Sequence, residues 1–167
     1  LHAAQAAHPR IAQRFTGPKY LQIVGNHDRV AGPANNAVDE WLVEKDGLKL
    51  VFTHGHQYDP WSQKLRLVSE AIIWFSGWMA RFGTDFFIRF FDWLHNVLSR
   101  TTADGALGPS EVKLVSSGRR RGAHITIMGH THVPGITHHS DHILVNSGHC
   151  LRGQFHWVGV DTESRKI

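Results

Sequence analysis

An α/β fold is predicted by three features of the sequence. Short apolar, β-branched runs at 20–24, 48–52 and 125–128 have the composition of buried strands. Helical stretches lie between and around them. Each run also ends in a histidine motif: Gly25-Asn26-His27-Asp28-Arg29, Thr53-His54-Gly55-His56 and Gly129-His130-Thr131-His132. In α/β sheets ligands gather at the carboxyl ends of strands. Three strand ends that deliver imidazoles are therefore expected to build one site.

The elements follow in order. Residues 3–15 read as a helix that Pro9 could interrupt. Gly17-Pro18 is a turn, and 20–24 a short buried strand. Residues 37–44 fit a short helix or a strand equally, and Gly47 turns the chain into the strand 48–52.

Pro60 opens a helical stretch, polar at Gln63, Lys64, Arg66 and Glu70 and then almost wholly apolar from 71 to 80. Gly83 breaks it, Thr84 is suited to cap a second helix, and Asp85 fits that helix's first turn. There Asp85, Arg89, Asp92, Asn96 and Ser99 recur at spacings of 4, 3, 4 and 3, one narrow polar stripe. Apolar and aromatic side chains cover the rest. Arg81, Asp85, Arg89 and Asp92 interrupt any run of the ~20 apolar residues that a membrane span needs. Two readings stand side by side: a hairpin packed on its own domain, and a cap that receives an acyl chain or rests on a membrane interface.

A further helix is expected over 110–121, then the strand ending at Met128, a strand near 143–146 and a closing strand around 154–160. Arg119-Arg120-Arg121 reads as a solvated helix end that suits the helix dipole. No basic stripe interleaved with aromatics is present, so nucleic acid is not an expected partner. The whole is one domain, 1–167, with a helical insertion at about 60–105.

Composition is that of an ordinary globular chain: 167 residues, 41% hydrophobic and 19% charged. The net charge of +4 suits an anionic substrate or an acidic membrane surface. One cysteine, Cys150, excludes an intrachain disulfide framework and fits a reducing compartment. A cytoplasmic location is expected, with peripheral contact to the inner face of the membrane through the aromatic helices. Residues 1–10 lack a basic stretch followed by an apolar one, so no secretory leader is expected. The chain does not open on methionine and is expected to be a fragment. Of its fourteen histidines, His2, His8, His138, His139 and His142 are expected at the surface.

An imidazole gives one nitrogen to a metal while a neighbour holds the other. His130 and His132 are two apart, which in an extended segment puts both on one face. Asn26 offers a carbonyl oxygen and His54 another nitrogen. His27, with Asp28 to orient it, could protonate a leaving oxygen or stabilise a phosphoryl transition state. Arg29 could meet a phosphate, the rival being a salt bridge. His56 fits a contact behind the metal ligands, a substrate contact or a solvated turn, and Tyr58 and Asp59 read as loop residues.

The Gly-Asn-His-Asp block, the His54-Gly55 pair and Gly129-His130-Thr131-His132 resemble the last three motif blocks of the calcineurin-like metallophosphoesterases. The resemblance implies a four-layer α/β/β/α sandwich with two divalent metals at the strand ends, here lacking its N-terminal strands. It makes Asn26, His54 and His130 ligands of one metal and His132 a ligand of the other. His27 becomes the group that contacts the phosphoryl oxygen and helps the leaving group, and Asp28 the acid that orients it. Asn146-Ser147-Gly148 resembles an Asn-x-Gly stretch that follows the last block. Imidazole-rich sites with oxygen ligands suit Mn, Fe or Zn better than Mg.

The family's two earlier blocks, Asp-x-His and Gly-Asp, have no counterpart before Gly25, and residues 1–24 contain no acidic side chain. The chain as given is expected to hold one metal or none. The insert between His54 and His130 is similar to the cap of the UDP-2,3-diacylglucosamine pyrophosphatases, which implies a lipid-linked phosphoester or pyrophosphate substrate. His27 departs from that branch, whose closest members carry arginine there. Two rivals are a general phosphodiesterase and a non-catalytic module that binds a partner or membrane through a degenerate metal site.

Overall fold

The chain reverses at Asp46-Gly47, where both residues have positive φ (52° and 75°). This is the pairing of a two-residue type I′ turn, whose twist matches that of the strands it joins. The turn links β1 (Glu40–Lys45) to β2 (Leu48–Thr53) as an antiparallel hairpin, with Trp41 opposite Phe52 and Val43 opposite Leu50. The computed structural model describes residues 6–15, 17–26, 36–59, 66–80, 108–150 and 153–167.

β3 (Ile125–Met128) lies parallel to β2, and β5 (His142–Asn146) parallel to β3. β4 (Gly135–His139) runs antiparallel along the far side of β5. Among the described residues the strand order is β1-β2-β3-β5-β4, an open mixed sheet of five strands. Helix α1 (Pro9–Phe15) precedes the sheet. Helices α2 (Arg66–Ala80) and α3 (Pro109–Arg120) fall in the long connection from β2 to β3, as a parallel crossover requires. The protein is mixed α/β.

Period-two alternation divides the sheet into two faces. On one, Leu50, Ile125, Ile127 and Val145 form a buried cluster covered by Val158 and Val160. On the other, Met128 and Leu144 pack against Leu114 and Val115 of α3. Strands covered on both sides read as unbroken apolar runs, and all four residues of β3 are buried. α3 opens with Pro109 in its first turn, and the Glu111 carboxylate accepts the Gly108 amide at 2.9 Å. Its end is polar as expected: Arg119 pairs with Asp141, and Arg121 just beyond it pairs with Glu40.

Several expectations need correction. Residues 20–24 make only a one-residue bridge, Ile23 with Val38, and Tyr20 and Leu21 are exposed. That run is apolar but joins no longer ladder among the described residues. The segment 154–160 likewise makes no strand pairing among the described residues; it lays Val158 and Val160 on the sheet face instead. β4, which no periodicity signalled, is one of the two edge strands, opposite β1. Pro9 does interrupt the 3–15 helix as expected: residues 6–7 are helical, His8 is not, and α1 restarts at Pro9, a first-turn position that suits proline. The undecided residues 37–44 resolve as the Val38 bridge and β1.

His8, His138 and His139 are exposed, as expected, whereas His142 is 1% exposed. It stands on the α3 side of the sheet, with Nδ1–H donating to Ala123 O and Nε2 accepting from the Thr126 hydroxyl, both at 2.9 Å. The second insert helix, from Asp85 onward, and His2 lie outside the described residues. No described helix is long and apolar enough to cross a membrane.

Candidate functional site

Because β2 and β3 are parallel neighbours, with Phe52 beside Ile127, their carboxyl ends emerge together. The backbone seals that junction: the amides of Gly129 and His130 both donate to His54 O, at 3.4 and 3.1 Å. Past His54 the chain turns through Gly55 at φ 100° into a single 3-10 turn, His56–Tyr58. A side chain at Gly55 would need the left-handed region and would stand 3.4 Å from His130 Cβ. Glycine is what lets the two strand ends close on each other.

The closure gathers three imidazoles. The His54 ring lies 5.1 Å from His56 and 5.2 Å from His130, and His56 lies 6.4 Å from His130. His56 and His130 are buried, at 7% and 8% exposure. His56 is therefore neither a solvated turn residue nor remote from the site. Asp59, expected as a loop residue, places Oδ2 3.1 Å from His130 Nε2. It brings a carboxylate to the imidazoles from the segment just after β2.

Glu40 braces this turn from the neighbouring strand, where it pairs with Thr53. Its Oε1 accepts from Gln57 Nε2 at 3.1 Å and from the Tyr58 hydroxyl at 2.9 Å, and its Oε2 accepts from Arg121. The Tyr58 proton goes to Glu40, so Ser117 Oγ donates to the phenol oxygen across 2.8 Å. Burial pushes the Tyr58 pKa up; the Ser117 bond opposes that and the Glu40 carboxylate adds to it. The Glu40 contact raises the Arg121 guanidinium in the same way.

His132 departs from the same-face expectation. Its amide donates to Gly129 O at 3.2 Å and its φ is 60°, so Gly129 to His132 form a turn rather than an extended segment. The two rings part: His130 joins His54 and His56, while His132 lies 5.8 Å from His149, which in turn lies 4.9 Å from His156. Asn146 spans the base of the turn, its Nδ2 donating to Thr131 Oγ1 at 2.6 Å and its Oδ1 accepting from the Gly148 amide at 3.0 Å. The Asn-Ser-Gly stretch thus braces the His130–His132 segment.

Asn26 is half-buried, three residues past the Ile23 bridge. His27, Asp28 and Arg29 lie outside the described residues. Among the described residues, no three His, Cys, Asp or Glu side chains are grouped tightly enough to hold an ion as they stand. Asp59, Glu40, Tyr58 and His149 were missed by sequence reasoning. Adjacency was the available signal: Tyr58 and Asp59 follow the His54 motif and His149 follows the Asn-Ser-Gly stretch, while Glu40 carried none. No protein-family model matches the chain, and no curated protein matches it.

Proposed function

We propose that this protein is a metal-dependent phosphoester hydrolase, a phosphodiesterase or pyrophosphatase, acting on a lipid-linked substrate. One observation carries the reading: His54 and His130 meet where the adjacent parallel strands β2 and β3 end. Half-buried and buried imidazoles at a strand-end junction are a donor set suited to Mn, Fe or Zn. Asn26, His54 and His130 would hold one ion, and His132 would belong to a second. Such an ion supplies Lewis-acid polarisation of a phosphoryl oxygen.

The chain's own residues carry the remaining roles. His27 delivers a proton to the leaving oxygen and Asp28 holds its ring in position. Arg29 and His56 meet phosphate oxygens and favour the charge that builds on them. The kinship is with the calcineurin-like metallophosphoesterases, in a four-layer sandwich whose insertion at about 60–105 serves as a cap. Exposed Leu67, Trp74, Phe75 and Trp78 on α2 support an apolar chain as part of the substrate.

The alternative is a non-catalytic module with a degenerate metal site. The turn of His132 toward His149, which separates the expected His130 and His132 pair, favours it. Hydrolysis of bis(p-nitrophenyl) phosphate and of a UDP-linked diacyl sugar, with Mn²⁺, separates the two. The hydrolase reading expects Mn²⁺-dependent turnover that falls on the order of 100-fold or more in His54→Gln. Mn²⁺ binding without turnover of either substrate would select the module.

A further inference from the structure

His130 Nε2 and Asp59 Oδ2 stand 3.1 Å apart, with 8% and 18% of the two side chains exposed. Around them the His54 and His56 rings complete a group whose centre-to-centre separations are 5.1, 5.2 and 6.4 Å. Imidazoles bound to one ion at about 2.1 Å have ring centres roughly 4.5 Å apart when cis and 6.4 Å when trans. All three separations fall within that span. Packing gives little reason to bring three imidazoles and a carboxylate together, because every buried polar group needs a partner of its own. The surrounding structure also holds the group in place. The amides of Gly129 and His130 fix His54 O, and Glu40 fixes Gln57 and Tyr58, the two residues between His56 and Asp59.

We propose that His54, His56, His130 and Asp59 are the ligands of a single divalent transition-metal ion, with Asp59 supplying the anionic oxygen. The proposal rests on the reading of His54 and His130 as metal ligands. It departs from that reading at two residues: His56 ligates the ion instead of meeting phosphate, and Asp59, from the segment after β2, takes the oxygen position given there to Asn26. Asp59 is the carboxylate that the fold brings to these rings, 3.1 Å from His130 Nε2, and its charge offsets that of the ion. Three nitrogens and one carboxylate oxygen select Zn, Fe or Co over Mg or Ca. An ion held there would take the place of the hydrogen between Nε2 and Oδ2; the neutral His130 ring would carry its proton on Nδ1 instead, leaving Nε2 and the carboxylate oxygen as donors. Fixed second-sphere partners of this kind orient metal ligands.

The test is titration of the whole chain with Co²⁺, followed by its visible d–d absorption, with far-UV circular dichroism confirming that each variant is folded. The variants are Asp59→Asn, His56→Gln, His54→Gln and His130→Gln, with His149→Gln as a control in the neighbouring cluster. The proposal expects one Co²⁺ per chain. Asp59→Asn and His56→Gln should each weaken binding by roughly 10- to 100-fold, alongside His54→Gln and His130→Gln, and His149→Gln should bind as the parent does. Should Asp59→Asn fail to fold, Asp59→Glu keeps the carboxylate and must shift the d–d spectrum; an unchanged spectrum overturns the assignment. Loss in His54→Gln and His130→Gln with parental binding in Asp59→Asn and His56→Gln overturns this ligand set alone. No Co²⁺ bound by the parent chain overturns both it and the metal reading beneath it.

Discussion

His142 and Thr126 share a hydrogen bond of 2.9 Å beneath helix α3, with the other ring nitrogen of His142 on Ala123 O. Both ring nitrogens are used by the neutral form. Burial lowers the His142 pKa below its ordinary 6.5, and the nearby Arg119 charge lowers it further, against the Ala123 contact and Asp141. The unfolded chain therefore takes up a proton near 6.5 that the folded chain refuses until lower pH. Stability is complete above that value, falls as pH drops through it, and levels off at the folded pKa. Urea midpoints of the parent and His142→Gln at pH 7.5, 6.0 and 5.0 check this. The difference between the two should narrow toward low pH; a constant difference would contradict it.

Gly118 on α3 comes so close to the sheet that an added Cβ would overlap Thr126 Oγ1 and lie 2.7 Å from His142 Cε1. Alanine gains about 1 kcal/mol of helix propensity, but overpacking costs about 1–3 kcal/mol. Gly118→Ala is expected to lower the denaturation midpoint. A raised midpoint would mean that α3 and β3 are not in this contact.

Glu40 links three partners to one carboxylate, and two of them belong to the turn that carries His56. Removing it takes from Tyr58 and Arg121 the carboxylate they share. A double-mutant cycle of Glu40→Ala and Tyr58→Phe should show a coupling of about 0.5–1.5 kcal/mol. Additive losses would show that the two act independently.

Asn146 holds Thr131 and the Gly148 amide, and is 8% exposed. Asn146→Ala should cost about 1–3 kcal/mol, since Thr131 and the Gly148 amide lose a partner in a poorly solvated place. Amide hydrogen exchange at Gly148 should quicken more than at β3. Equal acceleration at both would point to general destabilisation rather than a released turn.

The strands β2, β3 and β5 were legible because both faces of the sheet are covered there, and continuous apolar runs result. Apolar composition reports burial, though, and not pairing. Residues 20–24 and 154–160 carry the same signal as true strands, yet the first makes one bridge and the second packs Val158 and Val160 without a ladder. β4 shows the converse. It is an edge strand of Gly135, Ile136, Thr137, His138 and His139, paired through its backbone while most of its side chains face water.

The sequence by itself determined the α/β class, the strand-to-histidine junctions at His54 and His130, and the turn at Gly47. Each of these is written in local pattern: β-branched runs, positive-φ residues and the motif that follows a strand. Tertiary structure alone decided that His56 is buried, that Asp59 reaches His130, and that His132 turns to His149. Those outcomes depend on the parallel register of β2 and β3 and on the turn after Gly129. Register and turn direction follow from packing between residues far apart in the chain, which local spacing does not encode.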